Sequence, residues 1–280
     1  MIFYFNGKFL DEKEAKISVY DLGLLRGYAV FDFLRTYNQK PFYLDDHLKR
    51  FLNSSKLINL KHNYKLNFLR EIVIKTLKKN ISQLNFSKEF SIRIILTGGN
   101  SKDFITPLKS NLIIMITPLK KIDKKLYQNG GKLITKISER ILPQAKTIIY
   151  TQAVKFMQEA KRKGAIEILF LDKNKKILEC TTSNFFAVIN EKLVTPPINK
   201  ILPGITRKIV INLAKKLKIP VIERDIFFNE IKKFDEAFIT ATSKEILPII
   251  RIDYFKISSQ LGPITKNLMN EFKTLTKNYR

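Results

Sequence analysis

Gly164-Ala165-Ile166-Glu167-Ile168-Leu169-Phe170-Leu171-Asp172-Lys173-Asn174-Lys175-Lys176-Ile177-Leu178-Glu179-Cys180-Thr181-Thr182-Ser183-Asn184-Phe185-Phe186-Ala187-Val188-Ile189 is the most informative stretch of the chain. Gly164 reads as the C-terminal stop of a preceding helix. Glu167–Leu171 is a strand, Lys173-Asn174-Lys175 a turn, Lys176–Glu179 a second strand and Phe185–Ile189 a third. Glu179 closes its strand in apolar company, which invites a cationic partner; a surface hairpin position satisfied by lysines is the plainer reading. Cys180 beside it reads as a small buried filler.

Downstream, Asn190-Glu191 turns the chain into strand Lys192–Thr195. A helix opens near Ile205 and runs to Leu217. Strand Val221–Arg224, a short helix near Asn229–Lys233 and strand Ala237–Thr240 continue the mixed pattern. Upstream, strand Lys132–Ile137 is followed by a loop to Lys146 and a helix to about Lys163. The N-terminal half begins with a hairpin, Met1–Phe5 against Lys8–Leu10, across the favoured turn pair Asn6-Gly7. Strand Val30–Tyr37 turns at Asn38. Asp45 is expected to cap a helix to about Ile58, with Leu48, Phe51, Leu52 and Ile58 at helical spacing. A second helix covers about Leu66–Leu77, and Phe90–Leu96 and Leu112–Ile116 are strand-like. The Lys-rich run Thr117–Gly131 reads as a link. The expected class is α+β in two halves, with residues 1–117 as the N-terminal domain, 118–130 as linker and 131–280 as the C-terminal domain.

Composition limits the function. The 280 residues, 45% of them hydrophobic, support a globular core. No apolar run approaches the roughly 20 residues needed to cross a bilayer, and the N-terminus lacks the features of a signal peptide, so a cytoplasmic protein is expected. One cysteine precludes an internal disulfide. His47 and His62 lie outside any cluster with metal-ligand spacing, so no metal is expected. The net charge of +26 raises the question of nucleic acid. Yet 40 of the 51 basic residues are lysines spread along the chain, whereas nucleic-acid readers favour arginine forks in a patch. Salt-sensitive nonspecific binding is expected, specific recognition is not.

Individual motifs are weak. Leu202-Pro203-Gly204-Ile205-Thr206-Arg207 at a helix start is an anion-site geometry or a plain Pro-Gly turn. Phe238-Ile239-Thr240-Ala241-Thr242-Ser243 at a strand end is a phosphate-type loop or an ordinary Ser/Thr loop. Lys146, in Pro143-Gln144-Ala145-Lys146, is distinguished only by lying at a strand-to-helix junction. Arg50, in Asp46-His47-Leu48-Lys49-Arg50-Phe51, shares a helix face with His47 and Phe51, and a solvated helix arginine is the plainer reading.

Taken in order, these motifs resemble the fold-type IV pyridoxal-phosphate enzymes. That family holds branched-chain aminotransferases, D-amino acid aminotransferases and aminodeoxychorismate lyases. The resemblance spans nearly the whole chain. It starts at Phe5-Asn6-Gly7-Lys8-Phe9 and Val19-Tyr20-Asp21-Leu22-Gly23, and continues through Val30-Phe31-Asp32, His47-Leu48-Lys49-Arg50 and Lys146. It closes with Glu179 to Asn184, Thr195-Pro196, Leu202 to Arg207, Asp235-Glu236-Ala237-Phe238, Thr240 to Ser243 and Gly262-Pro263.

The resemblance implies a smaller N-terminal α/β sandwich and a larger C-terminal pseudo-barrel domain, with pyridoxal 5'-phosphate between them. It implies that Lys146 holds the cofactor covalently and, once displaced by substrate, moves the proton at the substrate Cα. Glu179 looks like the partner of the pyridine nitrogen, and Arg50, Ile205, Thr206, Ala241 and Thr242 like the phosphate cup. Ping-pong transamination between an amino acid and a 2-oxo acid such as 2-oxoglutarate follows.

Two departures bear on substrate. The usual Phe/Tyr-Glu pair is here Phe31-Asp32. The Arg-x-His element of the well-known bacterial D-amino acid enzymes is replaced by Leu96-Thr97-Gly98-Gly99-Asn100-Ser101. Arg26 and Arg93 are the candidates to bind the substrate carboxylate instead. Gly23 to Arg35 looks like a less common D-amino acid subgroup that uses such arginines. The resemblance therefore implies D-amino acids such as D-alanine or D-glutamate as preferred donors, with branched-chain L-amino acids as the alternative and aminodeoxychorismate cleavage as a lesser one. A homodimer is implied, with the Arg26 loop reaching the neighbouring subunit's site.

Overall fold

The computed structural model describes residues 1–82, 89–258 and 260–279. They form two compact units. The first comprises Met1–Lys120, Ala145–Ile149 and Tyr279, and the second Lys121–Gln144 with Tyr150–Asn278.

The first unit opens with β1 (Ile2–Phe5) and β2 (Lys8–Asp11), paired so that Phe5 faces Lys8. Asn6 and Gly7 both take positive φ, 46° and 94°, as the tight hairpin turn requires. A short helix, α1 (Leu22–Arg26), follows; it has no sequence signal of length or period, and the buried Asp21 creates it by capping Gly23 N–H at 2.6 Å. Then come β3 (Ala29–Tyr37), β4 (Lys40–Pro41), α2 (Leu44–Leu57), α3 (Leu66–Ile81), β5 (Phe90–Thr97) and β6 (Asn111–Pro118). The six strands run in the order β2-β1-β6-β5-β3-β4. Alternation decides the faces: Val30, Asp32, Leu34, Ile92, Ile94, Leu112 and Ile114 are buried, while Phe31, Phe33, Ile95, Ile113 and Met115 are half-buried on the other face. Leu48, Phe51, Leu69 and Val73 of the two helices share a core with the buried set.

Asp45 is not the helix cap expected from the sequence. The chain enters α2 through Tyr43 in the left-handed region, without a side-chain cap. Asp45 lies in the first turn, where its charge suits the helix dipole, and it takes a two-pronged bond from Arg70.

The second unit begins with α4 (Lys124–Asn129), capped by Asp123, in a run that reads as a plain link from sequence. The cap bond and Gly130 at φ 72° supply a start and a stop that the lysines obscured. There follow β7 (Gly131–Ile137), α5 (Thr151–Arg162), β8 (Glu167–Leu171), β9 (Ile177–Cys180), β10 (Asn184–Ile189), β11 (Lys192–Thr195), α6 (Ile205–Lys216), β12 (Val221–Glu223), β13 (Glu236–Ala241), β14 (Glu245–Ile252), β15 (Phe255–Lys256) and α7 (Pro263–Lys277). The sheet runs β12-β11-β10-β13-β14-β7-β8-β9, with β15 paired to β14. Strands β8, β9 and β13 are buried almost throughout, as strands covered on both faces are. Leu133, Leu169, Phe185, Ile239 and Leu247 lie in one core. Glu236 accepts from the Ile264 and Thr265 amides and so anchors the start of α7. The fold is α+β in two parts. No helix among the described residues is long and apolar enough to cross a membrane.

Candidate active site

Lys146 belongs to the first unit, and it does not begin a helix as the sequence suggests; α5 starts later, at Thr151. Residues 145–149 instead run beside the start of β3, along the edge that β5 does not pair. Phe31 N–H donates to the Lys146 carbonyl at 2.9 Å, Ile148 N–H donates to Ala29, and Val30 bridges to Thr147. The Lys146 N–H donates to Ser54 Oγ of α2 at 3.0 Å. A backbone held on three sides fixes where the side chain starts. Its Nζ lies 4.5 Å from the centre of the Phe31 ring.

Arg93 shares this side of the sheet. It is exposed, pairs with Phe33 in the β3–β5 register, and lies over the Phe31 and Phe33 rings at 5.5 and 5.7 Å. Arg26 lies elsewhere in the unit: it is exposed, and its Nε donates to the Phe104 carbonyl at 3.1 Å. Asp21 holds the Arg26 segment in place, accepting from Gly23, Thr97 and Asn111 at 2.6, 2.7 and 2.6 Å.

Arg50 sits on the buried face. Asp32, fully buried, accepts from Arg50 Nε at 2.9 Å and Nη2 at 2.8 Å, and binds His47 Nδ1 at 2.7 Å. Burial alone would raise the Asp32 pKa, but Arg50 and His47 more than offset it and hold the carboxyl well below its usual range. The sequence flagged Phe31-Asp32 only as a departure. The structure shows why an acid stands there: it orients two side chains of the next helix.

His47 is pushed below its ordinary value of 6.5, first by burial, which Asp32 opposes and the nearby Arg50 and Lys146 charges reinforce. Folded His47 therefore refuses a proton that the unfolded chain accepts. Its contribution to stability is complete above about pH 6.5 and declines as pH falls toward its folded value, by at most about 1.4 kcal/mol per unit. Thermal unfolding between pH 7.5 and 5.5 is expected to show this decline, and His47→Gln to flatten it. His62, also lowered by burial, adds its own share in both proteins, so the difference reports His47. Parallel profiles for the two proteins would contradict the assignment.

Glu179, Ile205, Thr206, Ala241 and Thr242 all lie in the second unit. Glu179, 4% exposed, has Arg140 Nε 3.1 Å from Oε1, and its Oε2 accepts from Leu202 N–H and Asn184 Nδ2 at 3.2 and 3.3 Å. The cation invited by a buried glutamate is thus Arg140. Burial disfavours the guanidinium charge, but Glu179 and Tyr150 outweigh it and Arg140 stands above its ordinary pKa. Sequence reading missed Arg140, although it is one of only 11 arginines and lies just before Lys146.

Helix α6 starts at Gly204 without a side-chain cap, and Ile205 and Thr206 in its first turn are buried. A Cβ on Gly204 would lie 1.9 Å from Asn184 Oδ1, so glycine alone lets Asn184 sit against this helix start while its Nδ2 donates to Leu202 O at 2.9 Å. Uncapped first-turn amides are an anion site. Thr240, paired with Asn184 across β10 and β13, has a buried Oγ1 without a hydrogen-bond partner. Ala241 and Thr242 continue from it into the turn before β14, both half-buried. An uncapped helix start, an orphaned hydroxyl and a Ser/Thr turn form a donor set suited to a phosphate. A buried carboxylate paired with an arginine suits a protonated ring nitrogen. The residues present therefore fit a phosphorylated pyridine.

The family model for class IV amino-transferases matches residues 29–252. The chain is similar to a putative branched-chain-amino-acid aminotransferase of Methanocaldococcus jannaschii, at 35% identity over 98% of this chain and 96% of that one. It is also similar to the D-alanine aminotransferase of Staphylococcus aureus strain N315, at 30% identity over 96% of each. Among solved structures, a T.th. branched-chain amino acid aminotransferase with pyridoxamine 5'-phosphate superposes with a TM-score of 0.91 at 26% identity, covering 100% of this chain and 95% of that one.

Proposed function

Because the chain belongs to the class IV aminotransferases, which are pyridoxal-phosphate enzymes, we propose that Lys146 holds that cofactor and that the protein transfers amino groups between D-amino acids and 2-oxo acids. The observation that carries the reading is the position of Lys146 Nζ against the Phe31 ring, over which Arg93 also lies. A reacting amine and a carboxylate-binding guanidinium share one aromatic platform.

The cofactor supplies the carbonyl that takes up the amino group and a ring that accepts electrons when the Cα proton leaves. Everything else falls to the chain. Lys146 would hold the cofactor covalently and, when its amine is free, would carry the proton away from the substrate Cα. Glu179 would partner the protonated ring nitrogen, and Arg140, 3.1 Å from its Oε1, holds the carboxylate in place. The amides of Ile205, Thr206 and Ala241 and the hydroxyls of Thr206 and Thr242 hold the phosphate, with Arg50, oriented by Asp32, adding charge. Arg93 binds the substrate carboxylate, the role of a two-pronged fork. Arg26 serves a neighbouring subunit's site in a homodimer, a reading supported by the exposed Val19, Tyr20, Leu24 and Ile105 of the same unit.

Transfer from branched-chain L-amino acids is a second reading. It is favoured by the apolar, half-buried Phe31, Phe33, Ile95 and Ile113 of the same sheet face, which suit an aliphatic side chain, and by the name of the M. jannaschii relative. Stopped-flow mixing of the loaded enzyme separates the two. D-alanine or D-glutamate is expected to change the cofactor spectrum faster than L-leucine or L-isoleucine. Fast L-leucine with inert D-amino acids would replace the first reading by the second. Arg93→Ala is expected to raise KM about 10- to 100-fold, the worth of hydrogen bonds to a charged group, without lowering thermal stability, since Arg93 is exposed.

A further inference from the structure

A buried carboxylate with a cationic partner lies in the second unit apart from Glu179. Glu167 opens β8 and is fully buried. It accepts from Thr181 Oγ1 at 2.8 Å, from Thr182 N–H at 2.7 Å and from Ser183 Oγ, the three residues that join β9 to β10 just after Glu179. Its remaining partner comes from a different loop: Lys244 Nζ is 2.9 Å from Oε1 and also donates to Thr182 Oγ1 at 2.9 Å.

Lys244 ends the turn that begins at Ala241. Its N–H donates to the Ala241 carbonyl at 3.1 Å, and Glu245 after it takes φ 55°. Its own carbonyl accepts from Tyr127 Oη of α4 at 3.1 Å. The residue is thus fixed at both ends of its backbone turn and at the tip of its side chain. Burial would raise the Glu167 pKa, but Lys244 and the hydroxyls outweigh burial and hold the carboxyl below its ordinary range.

The two loops joined in this way are the two ends of the proposed cofactor site. One follows the ring partner Glu179; the other carries Ala241 and Thr242 of the phosphate cup. We infer that Lys244 is a positioning residue that, through Glu167, ties the phosphate loop to the ring loop at a fixed separation. The inference rests on the cofactor assignment above. Nothing in the tie touches the reacting atoms. Its effect is preorganisation: a ligand that spans both loops binds with the loops already in place and loses less entropy in ordering them. Most lysines of this chain are solvated charges, and this one is distinguished by a buried acid.

The test compares pyridoxal phosphate with pyridoxal, which lacks the phosphate, as ligands of the full-length apoprotein. Lys244→Met keeps the aliphatic stem and removes the charge. It is expected to weaken pyridoxal phosphate binding at least tenfold and pyridoxal binding much less, so that the ratio of affinities collapses. Lys244→Arg should restore most of the ratio. Amide hydrogen exchange in the apoprotein should quicken at residues 181–183 and 241–244 together in Lys244→Met. Should the variant fold poorly, Glu167→Gln with Lys244→Met removes both charges, leaves no buried ion alone, and is expected to show the same collapsed ratio. An unchanged ratio with unchanged exchange overturns the tie, and equal losses for both ligands mark a merely structural lysine and overturn it as well. If the unaltered protein binds neither compound, the cofactor reading fails instead, and the tie loses the ligand assigned to it.

Discussion

Lys146→Ala is expected to abolish amino transfer, lowering turnover by more than about 10³-fold, because one side chain supplies both the covalent attachment and the proton transfer. The loss should come without unfolding. The segment is held through main-chain bonds, Phe31 N–H to the Lys146 carbonyl and Lys146 N–H to Ser54 Oγ, and alanine retains them. The thermal midpoint of the apoprotein should therefore move little. Added ethylamine offers a further check, since a small amine can partly replace a missing proton carrier. A variant that keeps near-native turnover would mean that another lysine does the work.

Asp32→Asn is expected to be the most destabilising single change outside the apolar core. It keeps the shape of the side chain but removes the charge facing Arg50 and His47, both nearly or wholly buried. Breaking a buried ion pair by neutralising one partner costs roughly 3–5 kcal/mol, because the remaining charge stays desolvated. Urea unfolding should show a lower midpoint at unchanged slope. Asp11→Asn, at an exposed position of β2, should stay within about 0.5 kcal/mol of the unaltered protein. A loss below about 1 kcal/mol for Asp32→Asn would show that the pair is solvated. The variant should also bind pyridoxal phosphate more weakly, since Arg50 loses the bonds that orient it.

The order of helices and strands was legible wherever period and turn chemistry agreed. The Asn6-Gly7 hairpin is one example, since only residues tolerant of positive φ fit a two-residue turn. Another is the run from Gly164 to Ile189, where three strands lie close to where their composition put them. What stayed hidden depended on contacts between distant residues. The Arg26 helix exists because Asp21 caps it and is itself held by Thr97 and Asn111. Helix α2 starts at Leu44 behind Tyr43, which puts Asp45 inside the first turn, where Arg70 from α3 bonds its carboxylate.

The same division holds for the site. Lys146 could be placed by its order among motifs but not by its chemistry, because 39 other lysines share that chemistry. Its edge pairing with β3 has no signal in an irregular segment. Arg140, Glu167 and Lys244 carry little signal in the sequence for a related reason. Each gains meaning only from a partner on another element, Arg140 from Glu179 and Lys244 from Glu167. Glu167 did leave a trace, as the lone acid among Ala165, Ile166, Ile168, Leu169, Phe170 and Leu171. A carboxylate in such a run is either misplaced or held by something, and here four groups hold it.

One lysine among 40 is assigned to carry the cofactor. Borohydride reduction of the protein loaded with pyridoxal phosphate, followed by peptide mapping, tests that assignment most directly. A single phosphopyridoxyl group on Lys146 is the expected result. A modification confined to any other lysine, or none at all, would contradict it.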